Sequence, residues 1–185
     1  MTTIRKSKEE HTKARVLIIT GNGKGKTSSA FGMALRALGH NNQIALIQFI
    51  KHDGHYGEVE ALKQFANASV HCTGLGFTPK DSDSPQWIKH KKAALLGWDL
   101  AKTYLLDPSI KLVVLDEFFY LFHYDFLSVD EAINELRNIP DDKIIIMTGR
   151  NAPKELYDYA DTISEVVCIK HASQQGIPAQ KGFEY

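Results

Sequence analysis

The chain has 185 residues, of which 43% are hydrophobic and 24% are charged. This length and composition favour one globular domain with a sizeable core. Lysine plus arginine equals aspartate plus glutamate at 22 each, so no overall field favours nucleic acid or an anionic membrane, and we expect neither as a partner.

The first fourteen residues are polar and mixed in charge, with Ile4 as a large apolar exception. We predict a flexible N-terminal arm over residues 1–14 and a single domain over residues 15–185. The start lacks the apolar core of a signal peptide, and no run of about 18 apolar residues could span a bilayer. We therefore expect a cytoplasmic protein.

Six short apolar runs rich in β-branched residues follow the arm. They are residues 16–20, 43–50, 69–73, 111–117, 143–148 and 162–170. Their apolar character is too continuous for half-exposed strands and is typical of strands covered on both faces. These runs predict the strands of one parallel sheet.

Helical segments separate the predicted strands. They are residues 26–38, 58–66, 129–138 and 153–160, with a long helix between Ser84 and Pro108. Gly39 predicts the end of the first helix, and Ser128 with Glu131 predicts a capping box. The alternation predicts an α/β fold, an open and mainly parallel sheet with helices on both faces.

The segment 20-TGNGKGKTSSAFG-32 joins the first predicted strand to the first predicted helix. It approaches the phosphate-binding pattern G-x-x-x-x-G-K-[ST], but Gly21 comes one position later than the pattern's first glycine. Glycines let backbone N–H groups turn toward an anion, and the helix N-terminus adds positive charge. Lys24 and Lys26 add full charges, and Thr27 offers a hydroxyl to Mg²⁺. The alternative is a flexible glycine loop with two solvated lysines.

The apolar run 112-LVVLDE-117 ends in two carboxylates, Asp116 and Glu117. This arrangement presents an acid to a metal ion beside bound phosphates, although surface carboxylates after a strand are the alternative. Together with the glycine loop, the run predicts ATP and Mg²⁺ as ligands. The fold that this combination indicates is the three-layer P-loop NTPase or RecA-like architecture.

Signatures of other chemistry are missing. The sequence has no GxSxG, no HExxH and no cysteine–histidine pattern, and Cys72 and Cys168 lack a CxxC spacing. We interpret both cysteines as ordinary buried thiols. His52, His55 and His171 are interpreted as exposed loop residues, with a role in lining a site as the alternative.

The aromatic run 118-FFYLFHY-124 directly follows the two carboxylates. We interpret it as part of the core, while an apolar wall for a large planar ligand is the alternative.

Several segments together resemble the P-loop ATP:cob(I)alamin (corrinoid) adenosyltransferases. They are TGNGKGKTSSAFG, 48-QFIK-51, 57-GE-58, 76-GFT-78, 113-VVLDE-117, 148-TGRNAP-153, 160-ADTISEVVCIKHA-172 and 176-GIPAQKGFEY-185. The resemblance covers nearly everything after residue 15. A P-loop alone would be weak evidence, but the closing segment and 148-TGRNAP-153 have no general reason to accompany one.

The resemblance implies adenosyl transfer. In this family a Co(I) corrinoid attacks the 5′ carbon of the ATP ribose, the whole triphosphate leaves, and adenosylcobalamin or an adenosylated precursor forms. Cobalt is the nucleophile, so no protein base is needed. The family binds ATP turned round relative to P-loop hydrolases and uses Mg²⁺ or Mn²⁺. The resemblance also implies that a flavoprotein reductant supplies Co(I) and that the protein is a homodimer.

The resemblance also implies residue roles. Thr27 and Glu117 would bind the metal, and Lys26 and Glu117 would be catalytic. The implied ATP contacts are Gly21, Asn22, Gly23, Lys24, Gly25, Lys26, Thr27, Ser28 and Arg36. Phe77 would form part of a corrinoid wall, but Pro79 stands where the family has a tryptophan.

The departure at Pro79 leaves three outcomes open. Another aromatic residue substitutes, from among Trp87, Phe118, Phe119 and Tyr120. Alternatively, the corrinoid preference changes or the enzyme is slower, or the protein carries ATP or a corrinoid without efficient transfer. A P-loop ATPase or phosphotransferase is the other alternative function. The arm at residues 1–14 would either fold over the corrinoid or remain disordered.

Overall fold

Six parallel strands form one open sheet in the computed structural model, which describes residues 14–52, 56–79, 82 and 84–183. The strands are β1 (Arg15–Thr20), β2 (Ile44–Gln48), β3 (Ala68–Cys72), β4 (Leu112–Asp116), β5 (Ile144–Thr148) and β6 (Thr162–Glu165). Their order across the sheet is β3-β2-β4-β5-β1-β6, and every neighbouring pair is parallel. The predicted arm at residues 1–14 lies outside the described residues, except for Ala14.

Helices cover both faces of the sheet. The α-helices are α1 (Lys26–Gly39), α2 (Gly57–Leu62), α3 (Pro85–Leu106), α4 (Tyr120–His123) and α5 (Val129–Leu136), and two 3₁₀ helices span Lys154–Tyr159 and Ala172–Gln175. Buried residues of α1 and α2 form one core with the sheet, and those of α3, α4 and α5 form the other. The predicted three-layer α/β fold is confirmed.

Burial differs between the middle and the edges of the sheet. Every residue of β2 and β4 is buried, whereas β3 is half-buried and all four residues of β6 are exposed. The prediction that each strand is covered on both faces is therefore wrong for β3 and β6, because an edge strand has one neighbour and fewer helices above it. The prediction also extended the last strand to residue 170, whereas β6 ends at Glu165.

Local end signals explain most of the helix boundaries. The Ser84 hydroxyl accepts a hydrogen bond from the Trp87 N–H at 3.2 Å at the start of α3, and Ser128 accepts one from Glu131 at 3.2 Å at the start of α5. The predicted stop at Gly39 is confirmed, because α1 ends at that residue. Asn41, two residues later, adopts the left-handed conformation (φ 58°), and its N–H donates to the Leu38 carbonyl at 2.8 Å.

Two helical predictions need further correction, and one helix was not predicted. The predicted helix at 58–66 spans Gly57–Leu62, and the predicted helix at 153–160 is the 3₁₀ helix Lys154–Tyr159. The short helix α4 was not predicted. It forms within the aromatic run, where Phe118, Phe119 and Leu121 are buried in the core, so the core interpretation is confirmed for these three.

No helix formed by the described residues combines the length and the apolar character needed to cross a bilayer.

Candidate functional site

A pocket of about 560 Å³ lies at the edge of the sheet where the parallel strands β1, β4 and β5 end. Its lining residues come from five places in the chain: Asn22, Gly23, Lys24, Gly25, Lys26, Thr27, Ser28 and Phe31 from the glycine loop and α1; Lys51, Gly57 and Glu58; Glu117 and Tyr120; Thr148, Gly149 and Arg150; and His171, Gly182 and Phe183. The carboxyl edge of an open α/β sheet is where such folds bind ligands.

The glycine loop between β1 and α1 requires residues without side chains. Gly25 precedes α1 with φ 116°, a conformation that side chains disfavour. The Gly23 N–H donates to the Val166 carbonyl at 2.7 Å, and a Cβ at Gly23 would lie 2.7 Å from that oxygen. The loop therefore packs directly on the segment after β6. Gly21 contacts the same segment and does not line the pocket.

Lys26 begins α1 and lies over the loop. Its Nζ donates a hydrogen bond to the Gly23 carbonyl at 2.7 Å. Burial lowers the pKa of Lys26, the charge of Arg150 lowers it further, and Asp116 and Glu117 oppose the change. The ammonium group is thus placed where an anion in the pocket would find a partly desolvated positive charge.

Asp116, the last residue of β4, is fully buried and accepts three side-chain hydrogen bonds. Its Oδ1 accepts from the Thr27 hydroxyl at 2.9 Å and from the Thr148 hydroxyl at 2.6 Å, and its Oδ2 accepts from the Gln48 amide at 2.8 Å. The Gln48 amide oxygen in turn accepts from the Cys72 thiol at 3.3 Å. Asp116 therefore fixes the Thr27 hydroxyl and has little accepting capacity left.

Glu117 has the opposite character. Its backbone adopts φ 61°, and its N–H donates to the Thr148 hydroxyl at 2.9 Å. Its Oε2 is buried without a hydrogen-bond partner among the described residues. Burial and the charge of Asp116 raise the pKa of Glu117 to about 7, although Lys51 and Lys26 oppose this rise. A buried carboxylate oxygen without a partner is costly unless a ligand completes it.

Thr27 and Glu117 fit a hard divalent cation. Because the Thr27 hydroxyl donates its proton to Asp116, its oxygen lone pairs remain available, and Glu117 offers an unpaired oxygen. No group of three or more histidine, cysteine, aspartate or glutamate side chains that could hold a metal occurs in the described part of the chain. A metal here would take its other ligands from water and phosphate, as Mg²⁺ commonly does.

Two further walls complete the pocket. Lys51, after β2, pairs with Glu58 at 3.4 Å and lies 4.6 Å from the ring centre of Tyr56. On the other side, the ring of Phe183 lies 5.4 Å from Lys24 Nζ, and His171 lines the pocket. The interpretation of His171 as an exposed loop residue is therefore corrected, because the tail folds back against the P-loop. His52 is exposed, and His55 lies outside the described residues.

Three of the residues implied by the resemblance lie away from this pocket. Arg36 is exposed on the last turn of α1, ten residues and about 15 Å along the helix from Lys26. The Phe77 side chain is fully exposed, and Pro79 is half-buried. Neither is among the residues that line the pocket.

The aromatic residues considered as substitutes for the missing tryptophan divide into two groups. Phe118 and Phe119 are buried in the core and are not available as a wall. Trp87 packs edge-on against Phe126 at 5.1 Å, and Tyr120 lines the pocket. Trp87 and Tyr120 therefore remain as candidates.

Several residues of the site were not predicted from the sequence. Gln48 and Thr148 hold Asp116, and Lys51 and Arg150 add positive charge to the pocket. Only their positions in the sequence could have indicated these four residues. Each is the last residue of a parallel strand or follows such a residue by at most three positions. His171, for which lining a site was the alternative interpretation, and Phe183, for which no role was predicted, reach the pocket through the folding of the tail.

The fold and this pocket define a P-loop α/β protein: a glycine loop between a buried strand and a helix, a lysine and a threonine at the helix start, and an acidic pair after a parallel strand. The two cysteines of the chain are half-buried free thiols and take no part in a disulfide.

Comparison with known proteins gives the particular family. The family model described as ATP:corrinoid adenosyltransferase BtuR/CobO/CobP matches residues 12–185. The corrinoid adenosyltransferase of Pseudomonas aeruginosa is 39% identical over 92% of this chain and 83% of its own length. The corrinoid adenosyltransferase CobA of Salmonella typhimurium is 35% identical over 98% of this chain and 90% of its own length. The protein belongs to the ATP:corrinoid adenosyltransferase family.

Proposed function

We propose that this protein transfers the 5′-deoxyadenosyl group of ATP to the cobalt of a Co(I) corrinoid and releases inorganic triphosphate. The observation that carries the proposal is a cationic P-loop pocket in a chain whose family match extends over residues 12–185. The protein is accordingly an ATP:cob(I)alamin adenosyltransferase, and ATP and the corrinoid are its co-substrates.

The reaction needs no base or nucleophile from the protein. The electron pair of Co(I) forms the cobalt–carbon bond, the bond between C5′ and its oxygen breaks, and that bond's electron pair leaves on the triphosphate. What the protein must supply is orientation and stabilisation of the charge that develops on the leaving group. The loop N–H groups and the Lys26 ammonium lie where they would provide it.

Mg²⁺ or Mn²⁺ is the proposed cofactor, and Thr27 and Glu117 are its proposed protein ligands. The support is the free lone pairs of a Thr27 hydroxyl held by Asp116 and the unpaired oxygen of Glu117. When bound, the ion would neutralise negative charge on the phosphates. Glu117 is charged more readily once a cation is next to it, because the cation opposes the effect of burial.

The corrinoid is proposed to lie outside the phosphate pocket, near the segment after β3. Phe77 there is fully exposed and Leu75 is 50% exposed, so an apolar surface is available for a large planar ligand. Pro79 adds a small rigid ring beside them. Gly21 and Arg36 remain ATP contacts by resemblance alone.

The wider setting is also proposed rather than observed. A flavoprotein would supply the electron that makes Co(I), the protein would act as a homodimer in the cytoplasm, and residues 15–185 would form one domain. These proposals follow from the family, and the balanced net charge agrees with the absence of nucleic acid among the partners.

An anaerobic assay with ATP, Mg²⁺ and chemically reduced cobalamin tests the proposal. We expect a light-sensitive alkylcobalamin to form. Lys26→Ala should lower kcat about 100-fold or more, because one preorganised charge is removed from the leaving group. Corrinoid affinity should change little, since Lys26 lies in the phosphate pocket. Tight corrinoid binding by the unaltered protein with no alkylcobalamin would instead identify a carrier.

A further inference from the structure

We infer that Arg150 is a second phosphate-binding cation of this site and contacts the triphosphate moiety directly, alongside Lys26. The inference rests on the proposed function and deepens it, because it names the residue that shares the charge of the leaving group. Nothing in the glycine-loop motif indicates this residue.

The position of Arg150 follows from the strand order. β5 lies between β4, which ends at Asp116, and β1, which leads into the glycine loop. Arg150 follows the end of β5 by two residues and therefore lies between the acidic pair and the P-loop. It lines the same pocket as Lys26.

The backbone that carries Arg150 is closely held. Gly149 adopts φ 150°, and a Cβ there would lie 2.9 Å from a ring carbon of Phe119, which is buried in the core. The loop therefore passes directly over the start of α4. A guanidinium attached to such a restrained backbone is better placed for a fixed ligand than one on a free loop.

Arg150 also differs from the other cations of the pocket in its partners. Lys51 pairs with Glu58, Lys24 lies over the ring of Phe183, and Lys26 donates to the Gly23 carbonyl. Arg150 has neither a hydrogen bond nor an ion pair with any residue that the structure describes. A pocket cation with its five donors unused is available to an external anion.

Arg150 and Lys26 share this part of the pocket although both are positively charged. Both side chains line the pocket at the carboxyl edge of the sheet. Holding like charges together is unfavourable without an anion between them, and a polyphosphate supplies one. A guanidinium can donate two parallel hydrogen bonds to phosphate oxygens, which a lysine cannot reproduce.

The test uses binding of inorganic triphosphate with Mg²⁺, measured by calorimetry on the full chain. Arg150→Gln should raise the Kd at least about 10-fold, the effect expected for loss of a charge-assisted hydrogen bond. Arg150→Lys should raise the Kd less, because the positive charge remains and only the planar guanidinium, with its two parallel donors, is lost. Lys154→Gln is the matched control: it removes the same charge from an exposed site outside the pocket and should leave the Kd within about two-fold.

An unchanged Kd for a folded Arg150→Gln protein would overturn the inference. Circular dichroism and the unfolding midpoint establish folding, and binding of cobalamin should be the same in all three variants. Because the readout contains no cobalt chemistry, it separates the two claims. If the unaltered protein made no alkylcobalamin while Arg150→Gln still lost triphosphate affinity, the proposed function would fail and the role of Arg150 would stand.

Discussion

Glu117 combines three features that each cost stability. Its backbone is left-handed, one of its carboxylate oxygens is buried with no hydrogen-bond partner in the described part of the chain, and its pKa is raised to about 7. Features of this kind concentrate at functional sites, where a ligand later provides the missing interaction. We therefore expect Glu117 to lower the stability of the metal-free protein and to bind the metal ion when one is present.

The destabilisation that the buried Glu117 carboxylate causes depends on pH. Its folded pKa of about 7 lies above the ordinary value of 4.5, so between these values the folded protein holds a proton that the unfolded chain has released. The free energy of unfolding therefore falls as pH rises through this window, by at most about 3 kcal/mol. Glu117→Gln should lack this fall and should be the more stable protein at pH 8 in the presence of a chelator.

Denaturant unfolding from pH 4 to pH 8 measures this effect. Glu155→Gln, at an exposed position of the 3₁₀ helix Lys154–Tyr159, is the matched control and should follow the unaltered protein. Adding Mg²⁺ should stabilise the unaltered protein and not Glu117→Gln. Identical pH profiles for Glu117→Gln and the unaltered protein would show that the Glu117 carboxylate does not make the free energy of unfolding depend on pH.

Residues of the site differ in how far the sequence predicted them. Lys26, Thr27 and Glu117 belong to short motifs whose spacing reflects the geometry of a loop and a strand end, and all three line the pocket. Arg150 and His171 lie in segments that carry the family resemblance, but no local motif assigned either of them to the phosphate site. Their place depends on which strands are neighbours and on where the tail folds, and neither is encoded in a local run of residues.

At the scale of elements, the carboxyl end of α3 is held by one buried lysine. Lys143, directly before β5, donates to the carbonyls of Tyr104 at 2.9 Å, Asp107 at 2.6 Å and Ile110 at 2.9 Å. The last carbonyls of a helix have no partners within it, and a cation satisfies both their hydrogen bonding and the helix dipole. Burial lowers the pKa of Lys143. This contact ties α3 to the start of β5.

Lys143→Met should destabilise the protein by about 2–4 kcal/mol, because three carbonyl groups lose the ammonium donor and, within the described part of the chain, only that of Asp107 keeps another, the Ile110 N–H at 3.1 Å. Urea unfolding at pH 7 measures the change. Lys154→Met, at an exposed site, should shift the free energy of unfolding by no more than about 0.5 kcal/mol. A loss below 1 kcal/mol for Lys143→Met would mean that water replaces the ammonium group at little cost.

Elements were predicted well where one physical cause dominated. Continuous apolar runs marked all six strands, and serine caps marked the starts of α3 and α5. The failures have competing causes. β6 loses its apolar surroundings at the sheet edge, and the aromatic run hides the short helix α4.

For the whole molecule, the order of the strands creates the site. β5 separates β4 from β1, and the ends of the three strands bring Asp116, Thr148 and the glycine loop together. The α/β class followed from the alternation of elements, but this order did not, because alternation is compatible with several strand orders. The chemistry proposed for the site depends on this order. The P-loop would cradle the phosphates, while Asp116, which accepts a hydrogen bond from Thr148, also accepts one from the Thr27 hydroxyl and fixes it.

The central claim is that carbon rather than phosphorus is attacked. The most direct test is phosphorus NMR of the products after one anaerobic turnover with ATP, Mg²⁺ and reduced cobalamin. We predict one inorganic triphosphate for each alkylcobalamin formed, because the C5′–oxygen bond breaks and the phosphate chain stays whole. ADP with orthophosphate, or AMP with diphosphate, in place of triphosphate would contradict the account.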